Sequence, residues 1–231
     1  MKPADLSPPI PKEEKLIFVH DRVWYIPSRP KNAEEFIFAG WNHQEFFAND
    51  LPVVIEYCSG NGAWIAEKAL ANPHLNWVAV EMKFDRVRKI WSKIKNLGLK
   101  NLMVICGEAH MATARYLANE SMSDVYINFP DPWPKKRHAK NRLIQPEFAN
   151  QLCRILKERK SLTFVTDDIP YSEWLIEVMG SHNCFESVYP QPFYLTEEKE
   201  YGTSYFDQLW RSKGLAIRYH CFQKRKNQAC V

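Results

Sequence analysis

Short apolar runs alternate with stretches of helical spacing from residue 53 almost to the end of the chain, and this alternation limits the possible folds. VVIEY at 53–57 is an apolar run around one glutamate, and NGAWIAEKALA at 61–71 follows it with helical spacing. Continuous apolar runs of this length are typical of strands buried on both faces, which occur in parallel sheets covered by helices. The pattern therefore predicts a doubly wound, mostly parallel α/β sheet.

Seven apolar runs are predicted to be strands, and five stretches between them are predicted to be helices. The strands are expected at 53–57, 76–81, 102–106, 124–129, 162–166, 185–189 and 216–222. The helices are expected at 61–71, 84–97, 112–118, 147–158 and 171–180. A long loop without helical spacing joins the last two strands, which favours antiparallel pairing. The expected architecture is a mostly parallel, seven-stranded sheet with one antiparallel strand.

The first 50 residues have a different character from the rest of the chain. Residues 1–15 carry prolines among charges, which predicts a disordered or loosely draped tail. Residues 16–50 are rich in aromatic side chains and are predicted to form short helices that pack on the main body. A chain of 231 residues is long enough for one domain with an extension. We therefore expect an N-terminal extension at 1–50 and a main domain at 51–231.

Several classes of protein are disfavoured by what the sequence lacks. Its six cysteines show no metal-ligand spacing and its histidines show no pairing, so no metal site is expected. No apolar stretch resembles a secretion signal or approaches the ~20 residues of a membrane span. We therefore expect a cytoplasmic protein that does not contact membranes. The net charge of +4 says little by itself about partners.

Acidic residues follow the predicted strands at the sheet edge where α/β proteins bind their ligands. Glu56 precedes the turn CSGNG, whose Gly60 and Gly62 would let the backbone approach a ligand closely. Glu81 ends the second strand, 19 residues beyond Gly62, where an acid commonly binds ribose hydroxyls. Glu108 follows the third strand. The third glycine of a dinucleotide fingerprint is missing, so an acid-lined edge favours S-adenosylmethionine over NAD.

The segment NFPDPWPKKRHAKNR at 128–142 follows the fourth strand. Three prolines at every second position exclude a helix and stiffen the chain around Asp131 and Trp133. The cations behind them predict phosphate binding, and include Lys135, Lys136, Arg137, Lys140 and Arg142. Trp133 would either stack on a base or pack under the loop.

FPDPWPKKRH at 129–138 resembles the signature of the bacterial tRNA (guanine-N7)-methyltransferases. The resemblance also includes the turn at 56–62, VAVEMK at 78–83, GEA at 107–109 and TD at 166–167. It implies a Rossmann-like class I methyltransferase fold, S-adenosylmethionine as methyl donor and tRNA as substrate, methylated at N7 of a guanine in the variable loop. The family includes more than one oligomeric arrangement, so a monomer or a homodimer is expected.

The resemblance also implies roles for individual residues. The implied cofactor contacts are Glu56, Gly60, Gly62, Glu81, Glu108 and Asp131, and Asp131 is also the implied catalytic residue. The implied substrate contacts are Lys135, Asp167, Thr203 and Asp207. Two positions depart from the family pattern: Cys58 replaces the first glycine of the turn, and Phe206 in TSYFD at 203–207 replaces the acid of a Thr-x-[Phe/Tyr]-Glu element.

Two other functions are compatible with parts of the sequence. Methyltransferases that act on exocyclic amino groups use an Asp or Asn followed by Pro-Pro and an aromatic residue, and Asp131-Pro132-Trp133 is a loose match. The long basic motif disfavours that function. An RNA-binding protein that kept the fold and lost catalysis is the second alternative, and it rests only on Cys58 and Phe206. Transfer of a labelled methyl group to tRNA, with mapping of the product, separates the three.

Overall fold

The computed structural model describes residues 1–202 and 204–226. The chain divides into two compact units, Met1–Leu117 and Ala118–Val231, and each is treated separately below. The described residues contain nine strands and six α-helices. The α/β prediction with mostly parallel strands is confirmed, and two strands more than the predicted seven are present.

The first unit contains five strands in the order β1-β2-β5-β4-β3. The strands are β1 Phe18–His20, β2 Val23–Ile26, β3 Val53–Tyr57, β4 Asn76–Glu81 and β5 Leu102–Gly107. Its helices are α1 Ala63–Ala71, α2 Phe84–Asn96 and α3 Ala109–Tyr116. β3, β4 and β5 pair in parallel, as predicted, and β2 extends the parallel set beyond β5. β1 pairs antiparallel with β2.

Burial explains why the parallel strands could be located so closely from sequence. Every residue of β3 and β4 is buried, so both strands appear as mostly apolar runs without alternation between polar and apolar residues. In α2 the buried side chains include Val87, Ile90, Trp91 and Ile94, which recur at helical spacing on one face. α3 begins three residues before its predicted start because Glu108 caps it.

The prediction of short helices at 16–50 is wrong, because this segment contributes the hairpin of β1 and β2 and no α-helix. All four residues of β2 are buried, so no alternation between polar and apolar residues marks it as a strand. Trp24 on β2 is fully buried in a cluster of aromatic rings contributed by the segment that follows. The aromatic residues thus pack against a strand and need no helix of their own.

The proline-rich tail lies against α2. The Met1 carbonyl accepts hydrogen bonds from Ser92 Oγ at 2.7 Å and from Asn96 Nδ2 at 3.0 Å. Leu6 is buried, with 1% of its surface exposed. Two short 3-10 turns, Pro3–Asp5 and Lys12–Glu14, are the regular structure of residues 1–15.

The second unit contains four strands in the order β6-β7-β9-β8. The strands are β6 Met122–Asn128, β7 Leu156–Thr166, β8 Phe185–Ser187 and β9 Arg218–Lys224, and the helices are α4 Pro146–Ile155, α5 Ile169–Gly180 and α6 Tyr205–Ser212. β6 and β7 are parallel, whereas β9 runs antiparallel to both β7 and β8. The predicted antiparallel strand is therefore present, and β1 in the first unit is a second one.

Two boundaries in the second unit differ from the prediction. The helix expected at 147–158 ends at Ile155, and β7 begins at the next residue. The first half of β7 contains four exposed polar residues, Lys157, Glu158, Arg159 and Lys160. It therefore lacks the apolar run by which the second half was predicted. The loop expected before β9 contains α6, a helix of eight residues that is capped by Ser204.

Candidate functional site

The glycine turn joins β3 to α1 and depends on three residues in the left-handed backbone region. Cys58, Gly60 and Gly62 have φ values of 63°, 55° and 69°. A Cβ atom added to Gly62 would lie 2.6 Å from Cγ1 of Ile90, so α2 packs directly against this turn. Gly62 is therefore required both for its backbone conformation and for the close approach of α2.

Glu81 is brought to the glycine turn, and its contact with a cofactor stays a prediction. Its side chain is buried, and Oε2 accepts a hydrogen bond from the Gly60 amide at 3.1 Å. Oε1 accepts one from the Lys83 amide at 2.8 Å, and Arg86 Nη1 lies 3.6 Å from Oε2. Each carboxylate oxygen has a second lone pair, so Glu81 can still accept hydrogen bonds from a diol.

Glu56 is the penultimate residue of β3 and Glu108 directly follows β5, the two strands that pair with β4. Glu56 is buried with 2% of its surface exposed, and its carbonyl accepts a hydrogen bond from Ser59 Oγ. Glu108 is exposed and follows β5, where its two carboxylate oxygens accept hydrogen bonds from the His110 and Met111 amides at 2.8 and 2.7 Å. Glu108 is thus the N-cap of α3, which fixes the direction of its carboxylate.

The loop after β6 presents Asp131 to solvent. The Asp131 side chain is exposed and accepts a hydrogen bond from the Trp133 amide at 3.2 Å. Phe129 and Trp133 have φ values of 45° and 46°, which are uncommon for large side chains. The Phe129 amide donates to the Val165 carbonyl at 2.9 Å, so the start of the loop is fixed to β7. Such strained residues are common where a loop must hold a functional group in one place.

Arg142 holds this loop from below and does not belong to the exposed cations. It is buried, and its Nε donates to the Pro132 carbonyl at 2.9 Å, next to Asp131. Nη1 donates to the Pro170 carbonyl at 3.4 Å, and the guanidinium lies 5.1 Å from the centre of the Tyr171 ring. Arg142 was expected to bind phosphates, and its burial corrects that expectation. Nothing in the charge pattern distinguishes it from its neighbours.

The remaining residues of the motif divide by exposure. Lys135, Arg137 and Lys140 are exposed, as a phosphate-binding surface requires. Trp133 is half-buried, and its ring meets His138 edge-on with centroids 5.9 Å apart. Part of the indole therefore packs on the loop while the rest faces solvent, which is compatible with both predicted roles.

Asp167 follows β7 at the carboxyl edge of the second unit. It is half-buried, and burial together with the negative charge of Asp168 raises the pKa of its carboxyl group. Asp168 caps α5, because its side chain accepts a hydrogen bond from the Tyr171 amide at 2.7 Å. Of the two adjacent acids, Asp167 is the one not used as the helix cap.

Asp207 is a buried acid with 2% of its surface exposed. Its Oδ1 accepts a hydrogen bond from Arg211 Nε and its Oδ2 accepts one from the Tyr219 hydroxyl, each at 2.6 Å. The protein itself therefore engages both carboxylate oxygens, and the contact with substrate stays a prediction. Thr203, the other predicted contact of this element, lies outside the described residues.

Comparison with known proteins identifies the family. The model of the methyltransferase family Methyltransf_4 matches residues 50–219. A tRNA (guanine-N(7)-)-methyltransferase of Chlamydia caviae is 44% identical over 225 residues, which cover 97% of this chain and 99% of the relative. The chain belongs to the tRNA (guanine-N7)-methyltransferase family. A Staphylococcus aureus enzyme with the same description is 36% identical over 141 residues, covering 61% of this chain and 65% of that protein.

Solved structures share the fold of this tRNA (guanine-N7)-methyltransferase family member at low sequence identity. The 16S rRNA methyltransferase KamB matches with a TM-score of 0.56 and 15% identity, covering 78% of this chain and 90% of that one. A SAM dependent methyltransferase from Aquifex aeolicus matches with a TM-score of 0.51 and 12% identity, covering 74% and 81%. At these identities the likeness concerns the fold, and it confirms the predicted class I methyltransferase architecture.

The two departures from the family pattern of the tRNA (guanine-N7)-methyltransferases are accommodated locally. Cys58 adopts the left-handed conformation that a glycine would adopt at that position, at some cost in strain. Phe206 lies at the start of α6, and its ring centroid is 5.8 Å from that of Phe129, which begins the Asp131 loop. Phe206 therefore packs against the residue that begins this loop, a contact that the sequence did not reveal.

Metal-binding groups and membrane-spanning helices are absent from residues 1–202 and 204–226. No group of three or more His, Cys, Asp or Glu side chains is arranged to bind a metal ion. Among the helices of the described part of the chain, none is long and apolar enough to span a membrane.

Proposed function

We propose that this protein transfers a methyl group from S-adenosylmethionine to N7 of a guanine in the variable loop of tRNA. The observation that carries the proposal is the loop FPDPWPKKRH, which presents an exposed Asp131 after β6 and exposed cations directly behind it. The relative from Chlamydia caviae, with 44% identity over nearly the whole chain, supports the same activity.

The first unit offers a suitable site for the cofactor. The left-handed glycine turn lets the backbone approach a ligand, and Glu81 is fixed against that turn with lone pairs left for ribose hydroxyls. Glu56 would bind the cationic amino group, and Glu108 would accept hydrogen bonds from the adenine amino group. When bound, S-adenosylmethionine supplies an electrophilic methyl group.

The reaction places modest demands on protein side chains. Guanine N7 carries a lone pair and no proton, so no general base is needed. Catalysis then depends mainly on holding the base in line with the methyl group. The purine gains positive charge during the transfer, and a fixed carboxylate stabilises such charge. We assign this role to Asp131, whose exposed side chain is oriented by the Trp133 amide.

Recognition of tRNA rests on the exposed part of the basic run. Lys135, Arg137 and Lys140 are available for phosphates, and neutralising phosphates releases counterions. The affinity for tRNA should therefore fall steeply as salt rises. Asp167, Thr203 and Asp207 complete the proposed substrate contacts. Affinity that is independent of salt would exclude this surface as the binding site.

Product mapping tests the activity. The protein is incubated with unmodified tRNA and methyl-labelled S-adenosylmethionine, and the RNA is then reduced and treated with aniline. Cleavage at a variable-loop guanine is the expected result, because N7-methylguanine is labile under these conditions. Label without cleavage would indicate amino-group methylation, and binding without label would indicate a protein that has lost catalysis. Cleavage elsewhere would contradict the variable-loop assignment alone.

The proposal also concerns the location and the oligomeric state of the enzyme. A tRNA substrate supports the predicted cytoplasmic location. A monomer and a homodimer are both compatible with the family, and sedimentation equilibrium of the purified protein distinguishes them.

A further inference from the structure

A cavity of about 370 Å³ lies within the first unit, between its N-terminal tail and the carboxyl ends of β4 and β5. Three parts of the chain form its walls. One wall comes from residues 8–16 of the tail, which we call the strap. The second comes from β1, β2 and the residues after β2, including Phe18 and Tyr25. The third includes Met82, Phe84 and Glu108.

The third wall connects the cavity to the proposed cofactor site. Met82 directly follows Glu81, the acid assigned to the ribose hydroxyls. Glu108, the acid assigned to the adenine amino group, lines the cavity itself. Its carboxylate is held in one direction because it caps α3. The cavity therefore lies where the base of a bound nucleoside would extend from β4 towards β5.

The lining suits a flat heteroaromatic ring with a hydrogen-bond donor. Phe18, Tyr25, Met82 and Phe84 contribute aromatic and thioether surface, which packs well on a purine. The Tyr25 hydroxyl is buried and has no hydrogen-bond partner among the described residues, although buried hydroxyls normally have one. Burial raises the pKa of Tyr25, so this hydroxyl stays neutral and can both donate and accept.

The strap is fixed at both ends by contacts that do not involve the cavity. Before it, Met1 is bonded to Ser92 and Asn96 on α2. After it, Asn32 binds Ile17 twice, accepting from its amide at 2.8 Å and donating to its carbonyl at 3.0 Å. Pro8, Pro9 and Pro11 stiffen the span between these anchors. A stiff segment anchored at both ends is a defined wall, which a disordered tail could not provide.

We propose that the strap is part of the cofactor site and that, together with β2, it encloses the adenosine end of S-adenosylmethionine. This inference rests on the proposed function for the identity of the ligand. It goes further in assigning cofactor binding to residues 8–16 and to Tyr25, which lie outside the 50–219 segment that matches the family model. The strap should then affect affinity for the adenosine group and leave tRNA affinity unchanged.

Titration calorimetry with two probes, S-adenosylmethionine and adenosine alone, tests the proposal without requiring turnover. Deletion of residues 2–11 should raise the Kd of both probes by the same factor, about tenfold, because it removes Pro8, Ile10 and Pro11 from one wall. Asn32→Ala removes the two side-chain hydrogen bonds of the second anchor and should raise both values by a smaller factor. Tyr25→Phe removes one hydrogen bond and should weaken both probes about three- to tenfold.

Lys31→Ala is the matched control, because the exposed Lys31–Glu14 ion pair touches the strap at 3.7 Å without anchoring it. It should leave both Kd values unchanged. Adenosine affinity that is unaltered by the deletion, by Asn32→Ala and by Tyr25→Phe would overturn the proposal. So would a loss of tRNA affinity alone, which would make the strap an RNA contact.

The unfolding midpoint of each variant is measured alongside the Kd. If the deletion variant does not fold, the two point variants still decide the question. Failure of the proposed function would appear differently. In that case product mapping of the unaltered protein finds no N7-methylguanine. The Kd for adenosine is measured without turnover, so the effect of the strap can still be determined.

Discussion

The two units hold their acidic residues by different means. In the first unit, backbone amides hold the acids. Glu81 accepts hydrogen bonds from the Gly60 and Lys83 amides, and Glu108 accepts them from amides at the start of α3. In the second unit, the Trp133 amide also donates to Asp131, but the loop that carries both residues is held by prolines and by the buried side chain of Arg142. Backbone amides are present in every sequence, whereas a loop held by side chains depends on a few particular residues.

This difference indicates where each region is sensitive to substitution. The site in the first unit depends on backbone conformation, so substitutions should be most destabilising at residues that have a positive φ and close neighbours. The second depends on specific donors and on one exposed carboxylate, so its weak points are charged or titratable side chains. The following substitutions test the contrast, beginning with the largest expected effect.

Asp131→Asn keeps the size and much of the acceptor capacity of the side chain and removes its charge. If the carboxylate stabilises charge on the purine, the single-turnover rate with tRNA should fall about 100-fold or more. The Kd for S-adenosylmethionine should change little, because the first unit supplies most of the proposed cofactor contacts. Near-normal turnover by the variant would exclude the electrostatic role.

Gly62→Ala should destabilise the first unit by about 3 kcal/mol. The added Cβ would lie 2.6 Å from Ile90 Cγ1, and the φ of 69° is unfavourable for alanine. Gly98→Ala is the matched control, since φ is 62° there and nothing lies within 4 Å of the added atom. It should cost about 1–2 kcal/mol from strain alone. Urea unfolding of both variants measures the difference, and equal losses would contradict the packing argument.

Arg142→Ala should destabilise the second unit by about 2 kcal/mol, because the Pro132 carbonyl loses its donor and the Tyr171 ring loses a packing partner. The turnover number should also fall, because Asp131 adjoins Pro132. Arg137→Ala should leave stability within about 0.5 kcal/mol and reduce the salt dependence of tRNA binding. A fall in tRNA affinity without a loss of stability in Arg142→Ala would return Arg142 to the phosphate-binding set.

His220 makes the second unit sensitive to acid. Its ring is buried between Ser172 Oγ and the Phe193 carbonyl, each at 2.9 Å, and burial lowers its pKa to about 4. In the unfolded chain the pKa of histidine is about 6.5, so the unfolded state binds the proton first as the pH falls. Stability from this residue is therefore complete above pH 6.5 and is lost as the pH falls towards 4.

Urea unfolding at pH 7.5 and pH 5 measures this effect. The unaltered protein should lose about 1–2 kcal/mol more than His220→Gln over that range. Substitution of the exposed His74 by Gln should leave the loss unchanged. If His220→Gln loses as much stability as the unaltered protein, the buried imidazole is not the source of the sensitivity.

The accuracy of the sequence-based predictions varied with the kind of burial. β3 and β4 were predicted to the residue, because strands buried on both faces are mostly apolar along their whole length. β2 is buried in the same way but is four residues long and lies among aromatic residues, so its signal was lost. α6 was missed although it is as long as the predicted α3; its one buried residue is the acid Asp207, whereas α3 buries Ala112, Thr113 and Tyr116.

By itself, the sequence determined the order of strands and helices, the acids at the strand ends and the family signature, because these depend on local pattern. The tertiary structure alone decided which charges are buried. Arg142 and Arg137 look alike in the sequence. Arg142 is buried and donates a hydrogen bond to the Asp131 loop, whereas Arg137 is exposed. Asp207 likewise became a buried partner of Arg211 and Tyr219. A charged side chain is buried only where distant backbone and side-chain groups satisfy it, and those groups meet only in the folded chain.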